Sequence, residues 1–326
     1  MSQLPLVTVA LPCYNRAASL PLALASLVAQ HYTEWECVLV DDGSTDDPAA
    51  VVDALGDARV RAVRLPRRMG RGVARQAALD AGRGDLFCKL DSDDWLYPDK
   101  LARQVELLAH LPEVGAVGSA IAVVDDRQAL IGVRGRGDPG ADADLFPPVL
   151  PPVRGTMPPP LARVPLMMRM SLARQCRYDP RLQRAEDTDF VLQLLAHTAY
   201  CVLPSPTYVY RQERAGALGD NLSGYLYHMR VIWKHRGRGY RAALRRLAVT
   251  GVKASVYGVG TLAGAGGWLI RRRSQPATAA EAAAFAQARA VVMAEAARLF
   301  GDLAHVPGCH EPAAQRGKRK QVCSNV

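Results

Sequence analysis

The sequence predicts an α/β fold with a mainly parallel central sheet flanked by helices and a helical C-terminal extension. Three observations carry this. Short apolar runs of strand length alternate with helix-period segments from residue 6 to residue 90. Each of these runs ends in a polar, turn-like cluster, and from Leu226 onward the chain becomes Ala-rich and helical.

In chain order, strands are expected at 6–11, 36–40, 59–65 and 85–90, where the residues are apolar or β-branched. Helices are expected at 18–29, 47–55 and 72–81, between the strands. That alternation implies parallel strands with crossover helices, and ligands in such sheets sit beyond the carboxyl ends of the strands. Residues 134–160 are rich in Pro and Gly and read as a mobile loop of the kind that covers a site. A helical pattern resumes at 182–196, opened by Ala185-Glu186-Asp187, and 201–210 reads as one or two further strands.

Composition excludes several classes. Hydrophobic residues at 49% and charged residues at 22% describe a globular chain, neither disordered throughout nor a multi-span membrane protein. Seven cysteines without a C-x-x-C pair read as reduced thiols, and the N-terminal segment lacks the features of a secretory signal, so a cytoplasmic protein is expected. The net charge of +10 is local: residues 211–273 hold 13 Lys and Arg against 2 acids. The seven histidines show no metal-ligand spacing and receive no role.

Chemistry is expected from the polar clusters. Pro12, Tyr14 and Asn15 follow the first strand and Asp41-Asp42-Gly43-Ser44 the second. An Asp there can accept a hydrogen bond from the ring N–H of a base, with the Tyr14 ring as a stacking face; equally, the second cluster reads as a turn capping the next helix. Arg67, Arg68, Arg71 and Arg75 surround Gly70, and guanidinium forks match phosphate geometry, although a solvated helix face carries the same residues. Asp91-Ser92-Asp93-Asp94 places three carboxylates at a strand end, which repel one another unless a cation or a set of donors offsets them. Mg²⁺ or Mn²⁺ would do so, completing its shell with phosphate oxygens and water; a solvated turn is the alternative. Glu186 and Asp187 open a helix, where acids also favour the dipole.

Taken in order, VTVALPCYNRAASL (7–20), ECVLVDDGSTDDP (36–48), GRGVARQAALDAGRGDLFCKLDSDDWLYPDKL (70–101) and AEDTDFVLQLL (185–195) resemble family 2 glycosyltransferases, over residues 4–211. The resemblance implies a GT-A fold, a nucleotide-sugar donor and inversion at the anomeric carbon; a UDP-sugar is the expected donor, since an Asp suits the ring N–H of uracil. It places Pro12, Tyr14, Asn15, Asp41 and Asp42 at the donor base. Asp91, Ser92 and Asp93 fall at the ribose and diphosphate, Arg71 and Arg75 at the phosphates, and Asp93 or Asp94 on the metal. Asp187 takes the place of the general base, with Glu186 beside it. The chain departs from the common pattern at Arg68-Met69-Gly70, at Ala74-Arg75-Gln76 and at Gln212-Glu213.

The expected organisation is a catalytic domain at 1–215, a basic helical region at 216–305 and a disordered tail at 306–326. The uncharged run 254–270 contains five glycines and is shorter than the roughly 20 apolar residues of a spanning helix. It reads as a packed helix or as an interfacial segment meeting anionic lipid from the inner face of the membrane. The acceptor implied is a glycan or a lipid-linked glycan of the cell surface. Nucleic acid is not expected as a partner, because the basic segment would explain none of the carboxylate clusters. The alternative readings are a sugar nucleotidyltransferase, although the glycine-rich phosphate loop that usually opens one is absent, and a non-catalytic nucleotide- or nucleic-acid-binding protein.

Overall fold

The computed structural model describes residues 4–136, 147–153, 155, 165–212, 218–262 and 274–301. The elements, in order, are β1 (Val7–Cys13), α1 (Leu20–Val28), β2 (Trp35–Asp41), α2 (Pro48–Leu55), β3 (Val60–Arg64), α3 (Arg71–Ala81) and β4 (Leu86–Lys89). Then follow β5 (Trp95–Leu96), α4 (Lys100–His110), β6 (Val114–Val124), β7 (Leu130–Arg134), β8 (Met167–Arg169), the single turn α5 (Met170–Ala173), α6 (Glu186–Leu195) and β9 (Ala199–Arg211). Three helices complete the described chain: α7 (Leu218–Lys234), α8 (Tyr240–Leu262) and α9 (Ala279–Phe300).

Every strand and helix expected in the first ninety residues is present. The sheet runs β3-β2-β1-β4-β8-β6-β9-β5, with β7 also paired to β6. Its first four strands are parallel, and the second half is mixed, because β8 runs antiparallel to both β4 and β6 whereas β9 is parallel to β6. The chain moves outward from β1 to β3 and then returns to β4 on the other side of β1. This switch in strand order opens a crevice at the carboxyl ends of β1, β2 and β4.

Side chains alternate across the sheet with period two. Val7, Val9 and Leu11 pack with Leu20, Leu24, Leu27, Leu101 and Val105 on one face. Ala10, Val38, Val40 and Phe87 pack with Ala74, Ala78, Leu79, Phe190 and Leu194 on the other. Each fully buried leucine contributes about 1.5–3 kcal/mol relative to an exposed one, so the two faces together hold the loops at the sheet edge. Local signals set the helix ends: Asp47 accepts from the Ala50 N–H at the start of α2, and Gly56 closes it in the left-handed region.

The C-terminal region divides in its packing. α9 joins the core, where Phe285, Ala288, Val292 and Ala296 meet Leu22, Trp95 and Val209. It is fixed further by a Thr278–Glu281 capping box and by Arg136, which bonds Glu281 at 2.5 and 3.0 Å. α7 and α8 instead form a hairpin that touches the rest of the fold through α6. No helix among the described residues is long and apolar enough to cross a membrane. Most of the expected loop 134–160, the end of the run 254–270 and the tail 306–326 lie outside the described residues.

Candidate active site

The first two loops are zipped together at the crevice. Asn15, at φ +50°, donates its N–H to Ser44 Oγ (3.0 Å) and accepts from the Thr45 N–H (2.9 Å). The Ala17 N–H donates to Asp46 (2.8 Å). Asp41 accepts the Ser44 N–H at 2.7 Å, closing the turn. The buried Asp42 carboxylate accepts the N–H groups of Met69 (2.5 Å) and Gly70 (2.9 Å), tying the second loop to the start of α3. Gly43 is required here: it has φ +75°, and a Cβ would fall 2.5 Å from the Arg67 carbonyl carbon.

Of the residues expected at the donor base, Tyr14 stands at the mouth with the Arg68 guanidinium stacked 4.3 Å from its ring centre. Pro12 is buried in β1, so it shapes the strand end. Ser92 is buried as well, its carbonyl accepting from Ser19 Oγ at 2.8 Å.

Arg75 lies at the centre of the site and is only 1% exposed. Its guanidinium bonds Asp91 at 2.8 Å, Glu186 at 2.5 Å and Asp187 at 2.8 Å. It was expected at the phosphates, and this is corrected: three carboxylates from two separate stretches engage both terminal nitrogens of a side chain that is buried away from the crevice mouth. Burial alone would weaken its charge, but Asp187, Asp91 and Glu186 push its pKa well above the usual value. Arg71 remains open to solvent at the edge, 56% exposed and 3.5 Å from Glu186.

Asp187 has a second cationic partner, Lys89, whose Nζ donates to Asp187 Oδ1. Burial would raise the pKa of this carboxyl, but Arg75 and then Lys89 outweigh it and hold the pKa at about 2. Lys89 itself is buried, and burial lowers its pKa against the opposing pull of Asp187. The turn before α6 is strained, since Ala185 sits at φ +60°, a left-handed conformation that costs a non-glycine residue about 1 kcal/mol. That kink delivers the first two acids of α6, Glu186 and Asp187, to Arg75.

Of the two metal candidates the structure leaves only Asp93 facing the crevice. Asp94 is 1% exposed, and its carboxylate accepts from Tyr208 Oη (2.7 Å) and the Arg211 N–H (2.8 Å). Burial, with Asp93 and Asp91 nearby, raises its pKa well above the carboxylate range. The expectation for Asp94 is therefore corrected: it pins the turn to β9. Asp93 faces outward between Arg16 (3.8 Å) and Arg211 (4.0 Å). Among the described residues no three His, Cys, Asp or Glu side chains form a ready metal-ligand set. Mg²⁺ and Mn²⁺ need only one or two carboxylates when phosphate oxygens and water fill the shell, so Asp93, with Asp91 beside it, still suits such an ion.

Lys89, Tyr208 and Arg211 escaped the sequence reading. Lys89 carried a usable signal: a lone cation inside an apolar parallel strand must find a carboxylate. The partners of Tyr208 and Arg211 lie more than a hundred residues away, and their local pattern is that of an ordinary strand.

Comparison with known proteins agrees with this geometry. Residues 8–136 match the family model for glycosyl transferase family 2. Succinoglycan biosynthesis protein ExoO of Rhizobium meliloti is 38% identical over 136 residues, covering 42% of this chain and 37% of that protein. The putative glycosyltransferase EpsE of Bacillus subtilis is 28% identical over 202 residues, covering 59% and 68%. The chain spans about two fifths of the length of the first of the curated relatives it matches. In fold it is similar to S. aureus TarS crystallised in complex with UDP-GlcNAc, with a TM-score of 0.55, 18% identity, and coverage of 90% of this chain and 82% of that one. With the GT-A architecture and the ordered loops in place, the match to glycosyl transferase family 2 covers residues 8–136, the segment that carries the first strands and the acidic loops of the crevice.

Proposed function

We propose that the protein transfers a sugar from a nucleoside diphosphate carrier, with UDP as the carrier the site suits, to an acceptor hydroxyl with inversion. One observation carries this above all: Arg75 binds Asp91 and Asp187 at 2.8 Å each, which fixes the donor-side turn and the candidate base in one rigid unit. Inversion needs the leaving diphosphate and the attacking alcohol on opposite sides of one sugar carbon, and therefore acids in two fixed places.

In this reading Tyr14 and the first two loops hold the base, and Asp91 and Asp93 lie beside the ribose and diphosphate. Arg71, exposed at the rim, meets the phosphate charge. Asp93, with Asp91, would hold Mn²⁺ or Mg²⁺, which when bound offsets the negative charge that grows on the leaving diphosphate. Asp187 accepts the proton of the acceptor hydroxyl as the oxygen attacks. With its pKa at about 2 it is ionised at any working pH. Its two cations also make it a weak base.

The acceptor proposed is a growing glycan, since relatives are named for succinoglycan and teichuronic acid biosynthesis. A panel of nucleoside diphosphate sugars, assayed for donor hydrolysis and for transfer to glycan acceptors, tests the proposal. Turnover of one UDP-sugar that Asp187→Asn abolishes, with donor binding retained, is the expected result. Transfer by Asp187→Asn at near wild-type rate sinks the assignment of the base.

A further inference from the structure

The α7–α8 hairpin holds most of the unpartnered apolar surface of the described chain. Nine of its large hydrophobic side chains are exposed, whereas four are exposed in all the other described residues. On α7, Leu222, Leu226 and Trp233 are 37%, 57% and 45% exposed at a spacing that places them along one side. On α8, Val249, Val252, Val256 and Val259 recur in steps of three and four and reach 67% exposure at Val259. Exposed valines gain nothing in a helix in water, where β-branched residues are mediocre helix formers.

The same hairpin is strongly basic. Residues 218–262 contain eight Lys and Arg and one acid. Arg241, Arg245, Arg246 and Lys253 are all exposed. At 3.6 residues per turn, Arg241, Arg245, Val252, Val256 and Val259 fall within one sector of about 60° around the helix. One face of α8 is thus cationic toward its start and apolar toward its end. Arg236 stacks 4.4 Å from the exposed ring of Trp233 at the hairpin bend.

We infer that this hairpin is a docking arm for the surface of an anionic lipid bilayer. Lipid offers both things the face demands, phosphate charge for the arginines and acyl chains for the valines. A nucleic acid would satisfy the arginines and leave the valines in water. A second copy of the face would set like charges together, because the segment has almost no acids with which to answer them.

The arm is keyed to the catalytic face. Asp189 on α6 is fully buried, with Lys234 Nζ 2.9 Å and His235 Nε2 2.8 Å from its carboxylate. Arg238 donates to the Leu192 carbonyl at 2.8 Å, and Val231 packs with Leu192 and Leu182. Two residues earlier on α6 stands Asp187, so a docked hairpin fixes the orientation of the crevice to the membrane surface.

Co-sedimentation of the full chain with phosphatidylcholine vesicles, with and without roughly 30 mol% phosphatidylglycerol, tests this. Binding to the anionic vesicles alone, weakened by salt, is expected. Two variants, Arg241→Glu/Arg245→Glu/Arg246→Glu and Val252→Glu/Val256→Glu, should each lower the partition coefficient by about tenfold or more. Their circular dichroism and thermal unfolding should match wild type, since every substituted side chain is exposed. Equal binding to neutral vesicles, no binding at low salt, or retention by both variants overturns the inference. So does a soluble dimer that Val252→Glu/Val256→Glu dissociates. None of these readouts depends on sugar transfer.

Discussion

Arg75 and Asp187 meet at 2.8 Å, with the guanidinium sealed from solvent at 1% exposure. Since the same guanidinium reaches Asp91 and Glu186, three acids converge on one buried arginine, and Lys89 adds a second cation to Asp187 alone.

Removing that cation leaves Asp91, Glu186 and Asp187 facing one another. Arg75→Met should cost roughly 3–5 kcal/mol in urea unfolding at pH 7, the range for breaking a buried pair from one side. The penalty should shrink toward pH 4, as the stranded acids take up protons. A loss below 1 kcal/mol at pH 7 would show that Arg75 is not the organising charge.

The pH response of Asp187 has a definite sign. Its folded pKa of about 2 lies below the ordinary carboxylate value of 3.8. The stabilisation it draws from Arg75 and Lys89 is therefore present above about pH 4 and lost as pH falls toward 2. Thermal unfolding midpoints of wild type should drop across that window more steeply than those of Asp187→Asn. Parallel curves would contradict the ion-pair geometry.

Asp93 and Asp94 are adjacent in sequence and differ in role. Asp94→Asn should fold with unchanged or higher stability at pH 8, because its charged form is the one that burial penalises. Asp93→Asn should leave stability alone while weakening the effect of Mn²⁺ on nucleotide binding. Calorimetry of the two variants separates these outcomes, and equal metal responses would remove Asp93 from the proposed site.

The strain at Ala185 offers a further test. Ala185→Gly should stabilise the fold by about 0.5–1 kcal/mol, since glycine adopts φ +60° without the Cβ penalty. A destabilised variant would mean that the kink is not strained.

Much of this arrangement was legible in the chain. The period-two and period-3.6 patterns over residues 6–90 mark the parallel half of the sheet, because both faces of those strands are covered by helices. The order of acidic loops indicated where the crevice lies. The partners inside it were not legible. Arg75 looks like a surface arginine of an amphipathic helix, and only the crossing of α3 over α6 turns it inward. Asp94 resembles its neighbour Asp93 in every local respect, and the two are told apart by Tyr208, which arrives from β9. Such pairings are set by packing between distant segments, and no spacing rule encodes them.

Titration of UDP into the protein with and without Mn²⁺, followed by calorimetry, tests the central claim most directly. Binding that Mn²⁺ strengthens about tenfold or more is the predicted result, in line with a carboxylate-held ion completing its shell with phosphate oxygens. Absence of UDP binding at millimolar nucleotide, with the fold intact, would contradict the account.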